Sequence, residues 1–589
     1  MLELQDLSLQ VGKEGEELNL LTDVSARFPK QHFAAILGPS GCGKSTLLKI
    51  IAGLREPTQG HVRWEGIDLA EDDMDPHEIG YVPQFSIAYD LMTVWESVDT
   101  ALRLRISGLS PHESDERIDG ILADVGLTEI ADRRIQLLSG GQKRRLALAL
   151  EIVSSPHLLL CDEVTSGLDP KAEDEIVALM HDLSRRNQRI VLSVTHSLRH
   201  LSLYDSVAVL YEGHVAYHGA PGMLLHYFNV EHADDLFPRM LKRKAAEWHQ
   251  SWLKHRELYY RESGLDLADA PLVAATPPRE DEGKETEGAA APEQRSTASV
   301  PHPIPMPSAI SQLFILLGRR WKLFIRDRGQ LLLQLALLFG FPCLVVIFAL
   351  EGLPQLKSLA DSGSGNLLQQ LQSEAQTQRE FSRTGSLVSG LIMFQVILLA
   401  LMGSNNSARE IAAERHIFEK EKFAGLSPLA YVGSKAIFLG LLVLAQSVWM
   451  TVFVNQIVRF PGDLALQIAV LTLVNAAMTF VCLGISSVLK TAEQASLVSI
   501  YLVGFQLPLS GAVLALPEAL SWIARPFIAS YWSWSGFIQT VRDTRFYEAI
   551  QSVTQTQLSP ASLCLWVLTS HVVLGLFVAY TGCKSARWE

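Results

Sequence analysis

A chain of 589 residues is too long for one hydrophobic core, so two or three domains are expected. Its net charge of -13 argues against nucleic acid as the main partner, because phosphate backbones need concentrated Lys and Arg. Hydrophobic residues make up 48% of the chain but are spread unevenly: the first half reads as soluble and the second as membrane. The six cysteines (Cys42, Cys161, Cys343, Cys482, Cys564, Cys583) lack the paired spacings of a zinc site or a disulfide framework and read as free thiols. Residues 1 to 10 alternate apolar and polar, without a basic stretch followed by an apolar one. No cleaved signal peptide is expected, and the N-terminus is assigned to the cytosol.

In chain order, Leu2 to Leu7 reads as an amphipathic strand and Leu20 to Ala26 as its antiparallel neighbour. The apolar run Ala34 to Leu37 then leads into Gly38-Pro39-Ser40-Gly41-Cys42-Gly43-Lys44-Ser45-Thr46, ahead of the helix-like Leu47 to Ile51. The glycines let the backbone curl until consecutive N–H groups face phosphate oxygens at the positive end of the helix. Lys44 supplies a point charge for the outer phosphates, and the Ser45 hydroxyl a ligand for Mg²⁺. A glycine-rich turn with no ligand is the bland alternative, but strand, loop, Gly-Lys-Ser and helix occur in the required order. By itself the loop says nucleoside triphosphate and no more.

Short strands follow at Gly60 to Trp64 and Ile79 to Val82, the second leading to Gln84, whose neutral amide can coordinate Mg²⁺ or orient a water. Alone, Gln84 would read as a surface loop residue. Ser139-Gly140-Gly141-Gln142 opens a helix with free N–H donors suited to a phosphate. One nucleotide does not easily need two such cradles in one chain, so this cap is expected to reach a phosphate held by a second copy; an ordinary serine cap is the alternative. Leu158 to Cys161 is an apolar run of the buried parallel kind, ending in Asp162 and Glu163. At that strand end Asp162 can hold the Mg²⁺ shell and Glu163 can polarise an attacking water. A turn at Asp169 and a further buried strand tipped by His196 complete the set.

The ordered motifs GPSGCGKST, YVPQ, LSGGQ, LLLCDE, SGLD and TH resemble the nucleotide-binding domain of an ATP-binding cassette (ABC) transporter over roughly residues 1 to 225. The resemblance implies an α/β P-loop ATPase and a dimer with two ATP molecules between one subunit's Lys44 and the other's Ser139 and Gly141. It also implies Gln84 as sensor of ATP for the membrane domain and His196 as the switch residue. The family commonly stacks adenine on an aromatic residue after the first strand, and Leu9-Gln10-Val11-Gly12 supplies none.

Domain 1 is bounded at 1–240 and a linker at 241–307. A helix at Leu241 to Arg261 could lie on the domain or near lipid headgroups, but a solvated helix is the favoured reading. From about Asp269 to Pro307 the chain is Pro, Ala, Glu, Thr and Ser and cannot bury enough surface to fold. The membrane domain, 308–589, opens with an interfacial helix at 311–328 carrying Arg319, Arg320, Lys322, Arg326 and Arg328. Six spans are expected at about 331–350, 386–404, 431–454, 464–489, 495–516 and 561–582, each near the ~20 residues a bilayer requires. An even count and the Lys/Arg bias place both termini in the cytosol. A charged helix around Arg409, Glu410, Glu414 and Arg415 cannot enter lipid and is the expected receiver of motion at Gln84.

That helix, the stretch Gly425 to Tyr431 with Lys435, and the ATPase-first order are similar to the G (White-type) subfamily, as an all-α polytopic domain of six spans. The intact LSGGQ and Pro170 suggest a bacterial relative, hence the bacterial inner membrane. By that analogy the second and fifth spans line a shared cavity, nominating Met393, Phe394, Gln395, Phe505 and Gln506, although ordinary helix packing explains each as well. The resulting expectation is an ATP- and Mg²⁺-dependent exporter of an amphipathic or lipid-like substrate, acting as a homodimer or as a heterodimer of similar halves. The rival is a membrane-bound ATP-responsive regulator or scaffold that moves no cargo.

Overall fold

The computed structural model describes residues 1–13, 16–71, 74–85, 87–262, 265, 305–350, 370–513 and 515–588. The expected linker lies, between 266 and 304, outside the described residues. Two compact units result, Met1–Pro307 and Ser308–Trp588.

The first unit holds two sheets. One is antiparallel, in the order β2 (Glu16–Phe28), β1 (Leu2–Lys13), β4 (Gln59–Trp64), β5 (Ile67–Asp68). Leu2 and Leu4 face inward, and a register shift after Leu4, with Asp6 at φ 49°, keeps Leu7 and Leu9 on the same buried face. The second sheet runs β10 (His214–Gly219), β9 (Ser206–Tyr211), β3 (His32–Leu37), β8 (Ile190–Val194), β7 (Leu158–Asp162), β6 (Ile79–Val82). All its pairings are parallel except β9 with β10. The strands β3, β7 and β8 are buried along their whole length, as continuous apolar runs require when both faces of a parallel sheet are covered.

The helices of this unit are α1 (Lys44–Ile51), α2 (Val94–Arg105), α3 (Pro111–Asp124), α4 (Gly140–Ile152), α5 (Pro170–Arg185), α6 (Pro221–Phe228), α7 (Leu236–Met240) and α8 (Ala245–Glu262). The solvated reading of the last is overturned. Trp248, Trp252, Tyr259 and Tyr260 are buried, Trp252 lies 5.5 Å from the ring of Tyr217 on β10, and His249 donates to the Val215 carbonyl at 3.1 Å. The aromatic stripe outweighs the charged face beside it.

The second unit is helical, beginning with Ala309–Arg326 and Arg328–Leu350. Among the described residues five stretches are long and apolar enough to cross a membrane: Arg328–Leu350, Phe381–Phe423, Pro428–Val458, Leu464–Val488 and Ala561–Ser585. The span expected at 495–516 is a shorter helix, Ala492–Gln506, followed by a single turn Pro508–Ser510. Pro508 has no N–H to continue the ladder, which ends the helix early. The helix Ala529–Gln539, buried from Ala529 to Ile538, returns into the core behind it.

A buried amide cluster ties four helices together. Gln334 donates to Asn406 at 3.1 Å, Asn406 to Gln446 at 2.8 Å, Gln446 back to Gln334 at 3.0 Å, and Asn475 to Gln446 at 3.2 Å. All four are buried, where unpaired amides would cost several kcal/mol. Elsewhere Gly575 lets Ala561–Ser585 close on Leu464–Val488: a Cβ there would sit 2.5 Å from the Phe480 carbonyl oxygen.

Two buried histidines make the first unit acid-sensitive. Burial lowers His32 to about 4 and His218 to about 3, while His32 pairs with Ser206 Oγ at 2.7 Å and His218 Nδ1 with Tyr260 at 3.0 Å. The folded state refuses protons that the unfolded chain accepts below about 6.5, so stability is complete above that pH and declines as pH falls toward 4. At pH 5 the loss is about 2 kcal/mol per histidine. Thermal unfolding followed by circular dichroism should show a lower Tm at pH 5 than at pH 7.5; an unchanged Tm would refute the neutral, buried assignment.

Candidate functional site

Because β3, β7 and β8 are parallel, their carboxyl ends meet at one edge, and the residues following each strand are brought together there. After β3, the loop from Gly38 to Thr46 turns into α1. Gly43 caps that helix at φ 104°, and a Cβ there would lie 2.8 Å from the Leu20 carbonyl oxygen, so only glycine fits. The first-turn N–H groups of α1 have no partner within the helix. Pro39, Ser40 and Gly41 are half-buried to exposed, whereas Cys42 is buried, which pushes its thiol up and keeps it protonated. Lys44 is 4% exposed, and its ammonium donates to the Gly38 and Pro39 carbonyls at 2.9 Å each.

After β7, Asp162 receives two hydroxyls: Ser45 Oγ at 2.8 Å on one oxygen and Tyr81 at 3.1 Å on the other. Burial raises the pKa of Asp162, and the Ser45 and Tyr81 hydrogen bonds oppose that rise. Tyr81, on β6, is itself pushed up by burial and by the neighbouring carboxylate. Glu163 leaves the strand at φ 48°, an unusual conformation for a residue with a Cβ, with its N–H on the Val194 carbonyl. That turn puts its carboxylate between Gln84, whose amide donates at 3.0 Å, and His196, whose Nε2 donates at 2.6 Å. Lys44, Ser45, Gln84, Asp162, Glu163 and His196 therefore share one edge.

The other motif residues form separate caps. Ser139 and Gln142 satisfy each other at the start of α4, Gln142 N donating to Ser139 Oγ at 3.3 Å and Ser139 N to Gln142 Oε1 at 3.0 Å. Asp169 caps α5, accepting from the N–H of Lys171 and Ala172. Gly140 lies beside Leu168 and Gly141 faces α5, where a Cβ on Gly141 would meet Ala172 at 3.4 Å. Among the described residues none of these groups is hydrogen-bonded to the Gly38–Thr46 loop.

In the second unit Glu410 and Glu414 belong to a buried ion cluster. Arg320 meets Glu410 at 2.6 and 3.0 Å, and Lys435 lies 2.9 Å from Glu410 and 2.6 Å from Glu414. Arg319 pairs with Glu421. Arg415 pairs with Glu419 at 2.9 Å and caps Leu464–Val488 through the Leu489 carbonyl at 2.7 Å, while Arg409 is exposed. Of the nominated cavity residues, Met393 and Gln395 are buried in the helical core and Phe394 packs on Phe348 at 5.3 Å. Gln506 is engaged by Ser530, whose N–H donates to its side chain and whose hydroxyl donates to its carbonyl. Only Phe505 is well exposed, at 57%. Sequence reasoning missed Tyr81 as a holder of Asp162 and Arg320 as the partner of Glu410: a tyrosine in a buried strand reads as core, and a basic lead-in helix reads as headgroup contact.

A family model described as "ABC transporter" matches residues 21–166, and one described as "ABC-2 type transporter" matches residues 311–537. The ABC transporter ATP-binding/permease protein Rv1747 of Mycobacterium tuberculosis is 27% identical over 532 residues, 86% of this chain and 54% of that protein. The chain thus spans about half the length of that relative. The methionine import ATP-binding protein MetN of Mannheimia succiniciproducens is 35% identical, covering 47% of this chain and 83% of that one. A solved dimeric ATP-binding cassette, MJ0796 bound to ADP and Pi, is 29% identical at TM-score 0.35, covering 38% of this chain and 99% of its own.

Replacing Tyr81 by Phe strips one buried carboxylate oxygen of its donor and should lower stability by about 1–3 kcal/mol, read from the urea midpoint; an unmoved midpoint would dismiss its role as a holder of Asp162. Lys435→Met should cost about 3–5 kcal/mol, because two carboxylates lose their shared cation, whereas Arg409→Ala on the surface should stay within about 0.5 kcal/mol.

Proposed function

The chain belongs to the ABC transporters, and from that premise we propose that it is a half-transporter which pairs with a second copy, hydrolyses ATP at the seam, and exports an amphipathic or lipid-like compound. One observation carries the reading: Glu163 gripped between Gln84 and His196, beside the Ser45–Asp162 pair and the Lys44 loop. ATP phosphates lie in the N–H cradle of Gly38 to Thr46, and Lys44 exchanges the Gly38 and Pro39 carbonyls for phosphate oxygens. Glu163 takes the proton of the attacking water, and His196 and Gln84 keep its carboxylate aimed.

The residues fit Mg²⁺. Ser45 Oγ and Asp162 Oδ1 form a small oxygen pair, and among the described residues no group of three His, Cys, Asp or Glu side chains forms a complete metal cage. Mg²⁺ characteristically takes one or two protein oxygens and completes its shell with phosphate and water. Ser45, Asp162 and Gln84 would hold it, and once bound it polarises the phosphate oxygens. Ser139, Gly140, Gly141, Gln142 and Asp169 of the partner subunit would close over the same phosphates, which accords with α4 and α5 presenting exposed caps.

In the membrane unit, Arg409, Glu410, Glu414 and Arg415 are read as the receiver of the motion. The shared Lys435–Arg320 cluster would make helices Ala309–Arg326 and Pro428–Val458 move with them. An apolar cargo accords with the exposed side chains of Leu497, Ile500, Tyr501 and Phe505 on helix Ala492–Gln506. In reconstituted vesicles, Glu163→Gln should bind ATP as wild type does yet hydrolyse it at least ~10²-fold more slowly, with accumulation of fluorescent lipid analogues lost. Equal accumulation by both proteins would favour a regulator that moves no cargo, and full ATPase rate in a lone subunit would overturn the seam.

A further inference from the structure

On the edge of the sheet opposite the nucleotide loop, we propose a second anion site: a cleft of about 270 Å³ that takes a dianionic phosphate group, free or carried by a small metabolite, between Arg117, Arg186 and Arg189. The strands β7 and β8 run parallel, so the residues just ahead of them, Pro156 and Arg189, lie at the amino edge, roughly 17 Å along the strands from the Asp162 edge. The site is therefore separate from the Gly38–Thr46 cradle. Arg117 comes from α3, Ser155 from the turn after α4, and Arg186, Asn187 and Arg189 from the connection between α5 and β8.

The charge balance of this cleft is what calls for an anion. Arg189 is 3% exposed, yet among the described residues its acceptors are carbonyls alone: Pro156 at 2.8 Å from Nε and Leu183 at 3.4 Å from Nη1. Burial, with Arg186 close by and only partly offset by Asp124, lowers its pKa to about 10, so it remains a cation at neutral pH. Arg117 likewise donates to a carbonyl, Val153, at 2.8 Å and to Ser155 Oγ at 3.2 Å. Among the described residues Arg186 alone of the three lies within ion-pair distance of a carboxylate, Asp124 at 2.5 Å. Three guanidiniums against one carboxylate leave two positive charges in a recess of a chain whose net charge is -13.

A buried cation without a counter-charge is costly, and a ligand that supplies the missing charge recovers that cost on binding. Among the described residues Arg189 Nη2 and Arg117 Nη1 have no acceptor, which leaves donors for several oxygens at once. Paired N–H forks of this kind match the tetrahedral oxygens of phosphate better than a single carboxylate. At roughly 30 Å³ per water, the cleft has room for one such group and little beyond a short attached chain.

The test uses the full chain in lipid nanodiscs with its nucleotide loop saturated by a non-hydrolysable ATP analogue, titrated calorimetrically with inorganic phosphate and, separately, with glycerol phosphate. Wild type should show one further saturable site, and Arg117→Gln/Arg186→Gln should weaken it at least tenfold without changing affinity for the ATP analogue. Arg186→Glu, at a half-exposed position, should abolish it and serves if the double variant folds poorly. Tighter binding of the ester than of inorganic phosphate would identify a metabolite as the source, and the reverse would identify free phosphate. No saturable binding in wild type, or undiminished binding in the variants, would overturn the proposal.

Discussion

Parallel strand order is the constraint on which the ATPase unit depends. With β3, β7 and β8 pointing the same way, every residue just past a strand end is delivered to one line, and only there can a loop lysine, two adjacent acids and a histidine meet. The apolar runs that bury these strands on both faces therefore do more than stabilise. They set the spacing between Ser45 and Asp162, and between Glu163 and His196, to hydrogen-bond lengths. The left-handed turn at Glu163 is the local expense of that arrangement, since it rotates one of two neighbouring carboxylates out of the strand while the other stays beneath the loop.

The membrane unit solves a different problem by similar means. Polar side chains buried among apolar helices are costly unless they are partnered, and two clusters of them stand out here. The Gln334–Asn406–Gln446–Asn475 amides share donors and acceptors across four helices, while Lys435 and Arg320 neutralise Glu410 and Glu414 at the charged turn. Because these partners come from different helices, losing one would leave the others buried and unpaired, which favours keeping the helices in register. The charged turn after Ser407 is tied in further by Ser486, whose hydroxyl accepts from the N–H groups of Ile411 and Ala412.

Much of this was legible in the residues. The fold class and the nucleotide edge follow from periodicity and motif order, because glycine, lysine and acid placements are dictated locally by backbone geometry and charge. What could not be read depends on contacts between distant segments. Tyr81 is indistinguishable in the sequence from any strand tyrosine until β6 pairs beside β7 and its hydroxyl meets Asp162. The helix α8 looked solvated because its charges are evenly spread, yet Trp248, Trp252 and Tyr259 find a sheet edge that no local pattern announces. Gln334 and Asn406 sit near helix ends, where an amide reads as boundary, and only tertiary packing makes them partners of Gln446. The helix ending at Gln506 shows the reverse case: hydropathy carried the expected span past Pro508, and a single imino acid decided its length.

The state of the nucleotide edge also bears on how selective it can be. Lys44 bonds two backbone carbonyls, Ser45 bonds Asp162, and both Glu163 oxygens are taken, so these side chains already have partners, whereas the first-turn N–H groups of α1 have none within the helix. A neutral ligand would only trade one ordinary hydrogen bond for another, for little net gain. A polyphosphate offers Lys44 and the N–H groups of α1 charged acceptors in place of neutral ones, and charge-assisted bonds are about twice as strong. This exchange favours highly charged phosphates over neutral ligands, and it acts through the phosphates alone.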